Sequence, residues 1–215
     1  MLEHELVSPT EVDLVRSGLT VADRSPIGAE SSNRSLAMGA LEDRVTVLSE
    51  DYRDLRGRGA YDRLVSVEMI EAVGWQHFDE FFRRCDELLA DDGLMLLQAI
   101  TIDDSLYETE KGARSFANTH VFPGGCLPSE RTIAACIARD TELREVWSED
   151  ITAHYPATLA AWRERFLGAW ERLRPRGYDE RFRRLWDFYL ASSEAGFREH
   201  RIGDVQALFA KPGWS

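Results

Sequence analysis

Residues Leu94-Met95-Leu96-Leu97-Gln98-Ala99-Ile100 are apolar nearly throughout. A short run of this kind is the signature of a strand covered on both faces, which requires helices packed above and below a sheet. The preceding residues supply partners. Leu64-Val65-Ser66-Val67 predicts a second short buried strand. Between them Phe78, Phe81, Phe82, Cys85, Leu88 and Leu89 recur at steps of three and four, which predicts an amphipathic helix. Asp91-Asp92-Gly93 predicts the turn that ends it. Strand, helix and strand in this order predict a parallel sheet of α/β class. Upstream, Val45-Thr46-Val47-Leu48 predicts a further strand leading into the polar loop Asp51-Tyr52-Arg53-Asp54.

Downstream, residues 101–120 are polar, and Phe122-Pro123-Gly124-Gly125-Cys126-Leu127-Pro128-Ser129 predicts a rigid, sharply turning loop. Ser129 is placed to cap a helix running to about Ala138. Val146–Ile151 predicts a strand. Two long helices follow, one with Leu159, Trp162, Phe166, Trp170 and Leu173 on a face, the other with Phe182, Leu185, Trp186, Tyr189 and Phe197. Val205–Ala210 predicts a last strand. Residues 1–40 carry no firm period, and Val12–Val21 gives only a weak strand or helix signal. The chain therefore divides into an atypical, poorly ordered segment over 1–40 and a folded domain over 41–215.

The net charge of −12 argues against a nucleic-acid partner, because binding a phosphate backbone needs clustered Lys and Arg. Arg163, Arg165, Arg172, Arg174, Arg176, Arg181, Arg183 and Arg184 read first as a solvated helix face paired with acids. The sharper reading is a docking surface for phosphate head groups or a phosphopantetheine carrier. Cys85, Cys126 and Cys136 form no C-x-x-C pair and suggest no disulfide framework, so a reducing cytoplasm and no metal site are expected. No apolar run approaches the roughly 20 residues that span a bilayer. The start, Met1-Leu2-Glu3-His4-Glu5, is acidic and does not read as a secretory signal.

Three stretches carry a family resemblance. The first is Asp51-Tyr52-Arg53-Asp54-Leu55 with Tyr61-Asp62-Arg63-Leu64-Val65-Ser66-Val67-Glu68-Met69-Ile70-Glu71-Ala72-Val73-Gly74. The second is the Phe122–Ser129 loop. The third is His154-Tyr155-Pro156-Ala157-Thr158-Leu159 with Trp162, Arg165-Phe166, Arg181-Phe182 and Trp186. In order and spacing, from about Leu41 to Lys211, the chain resembles the cyclopropane-fatty-acyl-phospholipid synthases. Fatty-acid C-methyltransferases and some plant amine N-methyltransferases share much of the pattern.

The resemblance implies a Rossmann-like, class I methyltransferase fold that uses S-adenosylmethionine. It implies methyl or methylene transfer to a cis double bond of an unsaturated phospholipid or carrier-bound acyl chain. It implies a bound bicarbonate as base, and a cytoplasmic protein peripheral to the inner face of the membrane. Carried over position by position, Glu71 matches the carboxylate that grips bicarbonate, Ile100 a backbone donor and Tyr155 the hydroxyl that reaches the anion. Gln98 stands where many members have His; it can donate but cannot titrate near neutral pH. Asp51 and Tyr52 match the adenine pocket, and Glu68 and Met69 would lie beside the cofactor. The family's amino-terminal cysteine for the anion has no match, and Cys126 belongs to another motif. The plainer readings are a helix-dipole role for Glu71 and a helix-entry aromatic at Tyr155.

A glycine-rich turn after a first strand, which admits the methionine portion of the cofactor, is not found: Gly18, Gly28 and Gly39 stand isolated. The resemblance starts at the fold's third strand, so the strand at Val45 is expected to lack its usual neighbour. The fold class is thus expected to be incomplete at the amino terminus. Two alternatives stay open: a non-catalytic lipid- or partner-binding remnant, and a methyltransferase of small amines.

Overall fold

The computed structural model describes residues 19–22 and 45–215. The chain divides into two compact units, residues 1–56 and 57–215. In the first, strand β1 (Leu19–Ala22) pairs in parallel with strand β2 (Val45–Leu48), from Leu19 opposite Val45 to Ala22 opposite Leu48. The strand expected at Val45 forms, and its neighbour comes from within residues 1–40. Residues 23–44 between them exceed the dozen or so that a parallel connection needs. The rest of the 1–40 segment, and a boundary at residue 40, fall outside the described residues.

The second unit begins with strand β3 (Tyr61–Val67), helix α1 (Phe78–Leu88) and strand β4 (Leu89–Ile102). Short helices α2 (Asp104–Glu110) and α3 (Phe116–His120) occupy the polar stretch for which no elements are expected from sequence. Asp103 caps α2, and Ser115 with Asn118 forms a capping box on α3. Helix α4 (Glu130–Asp140) is capped by Ser129 Oγ, which accepts from the Thr132 amide, as the sequence predicts. Strand β5 (Arg144–Asp150) follows. The first long helix is two pieces, α5 (Tyr155–Gly168) and α6 (Trp170–Leu173), broken at Ala169. Helix α7 (Glu180–Arg198) leads directly into strand β6 (Ile202–Ala210).

The sheet has the order β3-β4-β6-β5. Strands β3 and β4 are parallel, whereas β6 runs antiparallel to both β4 and β5. The sheet is therefore mixed, not parallel. An apolar run has no direction written in it, and β6 enters between two earlier strands from the end opposite to theirs. Among the described residues β3 pairs with β4 alone. Its Val65 and Val67 are 63% and 54% exposed.

Along β4 burial alternates. Met95, Leu97 and Ala99 are fully buried, while Leu94, Leu96, Gln98 and Ile100 on the other face are half-buried. The expected burial of both faces is thus realised on one. Phe78, Phe81, Phe82, Cys85 and Leu88 of α1 are all buried, together with Ile133, Cys136 and Ile137 of α4. Each fully buried Phe contributes about 1.5–3 kcal/mol. The opposite face meets α5 and α7 through Leu159, Leu190 and Phe197, with Ile100, Tyr155, Phe166, Trp186 and Tyr189 around them. Trp162, expected as helix core, is half exposed.

Asp91-Asp92-Gly93 does not end α1 in a turn; the helix stops at Leu88 and these residues lie within β4. The register jumps from Tyr61 opposite Leu89 to Arg63 opposite Leu94, so residues 90–93 form a bulge. The carboxyl-terminal tail satisfies it: Lys211 N–H donates to Gly93 O and Gly213 N–H to Asp91 O, each at 3.0 Å. A Cβ on Gly93 would sit 3.0 Å from Ala90 O and 2.9 Å from Leu89 Cδ2. Gly93→Ala is expected to cost about 1–3 kcal/mol by overpacking, measured by urea unfolding; an unchanged midpoint would show that the bulge yields freely.

Candidate active site

Strand β3 ends at Val67, opposite Gln98, while β4 continues to Ile102. The overhang leaves amides on the β3 side of β4 without a strand partner, and a buried N–H must be satisfied. Two local features do so. The Ile102 amide donates to Pro128 O at 2.9 Å. The Ile100 amide donates to Glu71 Oε1 at 2.6 Å.

Glu71 sits in a single 3-10 turn, Ile70–Ala72, anchored by the fully buried Ile70. Its carbonyl oxygen accepts from the Cys126 amide at 2.8 Å, so the Phe122–Ser129 loop clamps the turn. Gly125 permits this approach: a Cβ there would lie 3.0 Å from Phe122 O. A helix-dipole role does not describe Glu71, because its carboxylate reaches across to β4. The second oxygen, Oε2, is buried without a hydrogen-bond partner. Burial pushes the Glu71 carboxyl up to about 7, opposed by the Ile100 amide and reinforced by the charges of Glu68 and Asp204.

Glu68 follows β3 at once and holds a positive φ of 48°, a strained value for a side-chain-bearing residue. Its carboxylate accepts from the Tyr155 hydroxyl and, at 3.1 Å, from Gln98 Nε2. Gln98 Nε2 also donates to the Tyr155 oxygen at 3.2 Å. Tyr155 opens α5, with Pro156 in the first turn, and its ring stacks on Phe197 at 4.6 Å. Burial and the bond to Glu68 raise the Tyr155 phenol well above its ordinary range, so it stays a neutral donor.

The structure thus joins Glu68, Gln98 and Tyr155 in one bonded cluster, and Glu71 with Ile100 in a pair coupled to it by charge. Met69 is half-buried at the start of the Glu71 turn. Asp51 and Tyr52 belong to the first unit, where the Asp51 carboxylate is held by Arg53 Nε at 2.8 Å and Nη2 at 2.7 Å.

One member of the cluster is missing from the sequence expectations. Asp204 on β6 is fully buried, lies opposite Ile100, and places Oδ2 3.5 Å from Gln98 Nε2. The available signal is a lone acid at an inward position of an apolar strand, Ile202 to Ala210. A cavity of about 360 Å³ is lined in part by the Phe122–Ser129 loop, with Trp75, Lys111, Arg114, Asn118, Gly125 and Cys126 at its walls. It includes neither Glu71 nor Tyr155.

Comparison with known folds places the chain. The mycolic acid cyclopropane synthase CmaA1, solved with SAH and CTAB, superposes with a TM-score of 0.81 over 90% of this chain and 70% of that one, at 24% identity. A putative sarcosine dimethylglycine methyltransferase from Galdieria sulphuraria superposes at 0.73 over 90% of this chain and 69% of that one, at 13% identity. The fold is that of the class I S-adenosylmethionine-dependent methyltransferases. Residues 10–207 match the family described as mycolic acid cyclopropane synthetase, and the chain belongs to it. That match takes in most of the segment set apart over residues 1–40. The tuberculostearic acid methyltransferase UfaA1 of Mycobacterium tuberculosis is 38% identical over 182 residues, 85% of this chain and 42% of that protein. The cyclopropane-fatty-acyl-phospholipid synthase of Escherichia coli K12 is 34% identical over 210 residues, 98% of this chain and 50% of that protein. The chain spans about half the length of these relatives.

The raised Glu71 value has a linkage consequence. The fold prefers the neutral carboxyl, so this contribution to stability is complete below the ordinary value of 4.5 and is lost as pH rises towards 7. Between pH 5 and pH 8 wild type is expected to lose stability that Glu71→Gln retains. Urea unfolding at both pH values measures this, and a wild-type–variant difference that does not change with pH would contradict the buried, proton-holding carboxyl.

Proposed function

We propose that this chain carries the acyl-modifying part of an S-adenosylmethionine-dependent enzyme that transfers a methyl or methylene group to the double bond of an unsaturated acyl chain. The observation that supports this most is the Glu71–Ile100 pair beside the Glu68–Gln98–Tyr155 cluster at the carboxyl ends of β3 and β4. Ligands of open α/β sheets bind at that end of the strands.

Bound S-adenosylmethionine supplies an electrophilic methyl group, and bound bicarbonate supplies a base for the proton that the product must shed. The residues present fit both groups in part. For the sulfonium nucleoside, Glu68 and Met69 stand at the end of β3, and an exposed carboxylate favours a nearby positive charge. For the anion, the unpartnered Glu71 Oε2 is an acceptor for its hydroxyl group; the Ile100 amide holds Glu71 Oε1 in place, and the Gln98 and Tyr155 donors, engaged with Glu68, would turn to the guest.

This chain's own residues then have separate tasks. Glu71 is fixed at three points, by buried Ile70, by the Cys126 amide and by the Ile100 amide, and so orients a guest without moving. Tyr155 donates and does not act as a base. Gln98 orients and moves no proton. Phe197, Tyr189 and Phe122 form an apolar surround for an acyl chain and keep water from the reacting carbon. Arg163, Arg174 and Arg183 are paired with Asp187, Glu171 and Glu180, which favours a solvated face over a docking surface for them. Among the described residues no helix is long and apolar enough to cross a membrane. Contact with a bilayer is therefore peripheral in this reading.

Expression in a host that makes unsaturated lipids but no cyclopropane chains tests the proposal. A new cyclopropane or methyl-branched acyl chain in the lipid extract is the expected result. Calorimetric binding of the demethylated cofactor, without any new acyl species, would favour an amine acceptor. No binding at all would favour a remnant. Glu71→Gln is expected to lower turnover by about 10²-fold or more while cofactor binding persists; unchanged turnover removes Glu71 from the site.

A further inference from the structure

The pairing of β4 with β6 sets Gln98 opposite Gln206 and Ile100 opposite Asp204. Residues directly opposite, and two apart along a strand, share one face of the sheet. Gln98, Ile100, Asp204 and Gln206 therefore form a two-by-two block on the face that meets Tyr155. Gln206 Nε2 donates to Gln98 Oε1 at 2.9 Å. That bond fixes the Gln98 amide with its NH₂ group turned towards Glu68, Tyr155 and Asp204. Two N–H bonds thus serve three acceptors, and the Asp204 contact, at 3.5 Å, is the longest.

Asp204 is poorly provided for as a structural residue. It is fully buried, its Oδ1 has no hydrogen-bond partner, its Oδ2 has the third claim on one amide, and the Tyr155 hydroxyl beside the carboxyl is already spent on Glu68. The bonds that do tie this position into the fold use its backbone: its amide donates to Thr152 Oγ1, and its carbonyl accepts from the Ile151 amide, both at 2.9 Å. A leucine would keep both. A buried carboxyl so incompletely bonded is a cost that the fold itself does not recover. The titratable groups facing it are Glu68 and Glu71 from the segment after β3 and Tyr155 from α5.

We propose that Asp204 is a positioning residue of this site, acting on Tyr155 and Glu68 through the Gln98 amide and on Glu71 through its charge. When Asp204 is ionised it competes with Glu68 for the Gln98 amide and opposes ionisation of Glu71. When it is protonated it releases the amide to Glu68 and becomes a donor to the Tyr155 oxygen, whose own hydrogen is spent on Glu68. Burial, reinforced by the charge of Glu68 and opposed by Tyr155, raises the Asp204 carboxyl to about 6, which brings both states within reach near neutrality. The catalytic meaning of the residue rests on the methyl-transfer reading, but the test does not require turnover.

The test is a carboxyl-carbon NMR titration of the whole chain as wild type, Asp204→Asn and Glu71→Gln. Asp204→Asn is expected to lower the Glu71 midpoint by about 1 pH unit, the order one nearby like charge produces. Glu71→Gln is expected to lower the Asp204 midpoint in return, because the two titrate as a coupled set. A Glu71 midpoint unmoved in a cooperatively folding Asp204→Asn protein overturns the proposal. If that variant does not fold, the reciprocal measurement decides: an Asp204 that titrates as an ordinary carboxylate and ignores Glu71→Gln overturns it equally. Coupling in a chain that turns over no lipid would sink the proposed reaction and leave the coupling intact.

Discussion

The hydrogen bond from the Ile100 amide to Glu71 exists because one strand is longer than its neighbour. β4 extends several residues past the end of β3, and the extension leaves backbone donors facing a gap. Folded chains do not leave such donors empty. Here the gap is closed by a carboxylate from the turn after β3 and by the carbonyl of Pro128. The turn that brings Glu71 is in turn held by the glycine-containing loop. Strand length, loop composition and carboxylate placement are consequences of one mismatch in the sheet, and removing any of them releases the others.

Much of the carboxyl-terminal unit was legible in the sequence because its signals are local. The α1 stripe at Phe78, Phe81, Phe82, Cys85 and Leu88, the Ser129 cap, and the strands at Leu64 and Val205 all follow from period and cap chemistry. What failed was long-range. Asp91-Asp92-Gly93 has the composition of a turn, yet its backbone is paired by a tail more than a hundred residues away. The antiparallel sense of β6 comes from the connection after α7, not from its own residues. Trp162 carries the spacing of a core stripe but faces outward.

The candidate site divides in the same way. Family likeness pointed to Glu71, Gln98, Ile100 and Tyr155, and the fold brings them to one end of the sheet. Their bonds to one another were not foreseeable, because Glu68, Gln98 and Tyr155 meet across 30 to 87 residues of sequence. Asp204 was missed because a single acid in an apolar strand has no period to betray it. The site concentrates carboxylates that are incompletely bonded, whereas Asp86 and Glu142 elsewhere are matched by the buried Lys211 ammonium. Local rules tend to be broken where function requires it.

Because β6 lies between β4 and β5, it leaves the ribosome after both of the strands that it joins. Until it emerges β5 has no neighbour in that sheet, and β4 holds only β3. The contacts that complete the domain span long stretches of chain, which slows their formation and prolongs the exposure of apolar strands. Synthesis from the amino terminus therefore delivers Asp204 and Gln206 after every other member of the cluster. A nascent chain stalled short of residue 200 would display Glu71 and Tyr155 on an open half-sheet, a natural target for chaperone capture or proteolytic clearance.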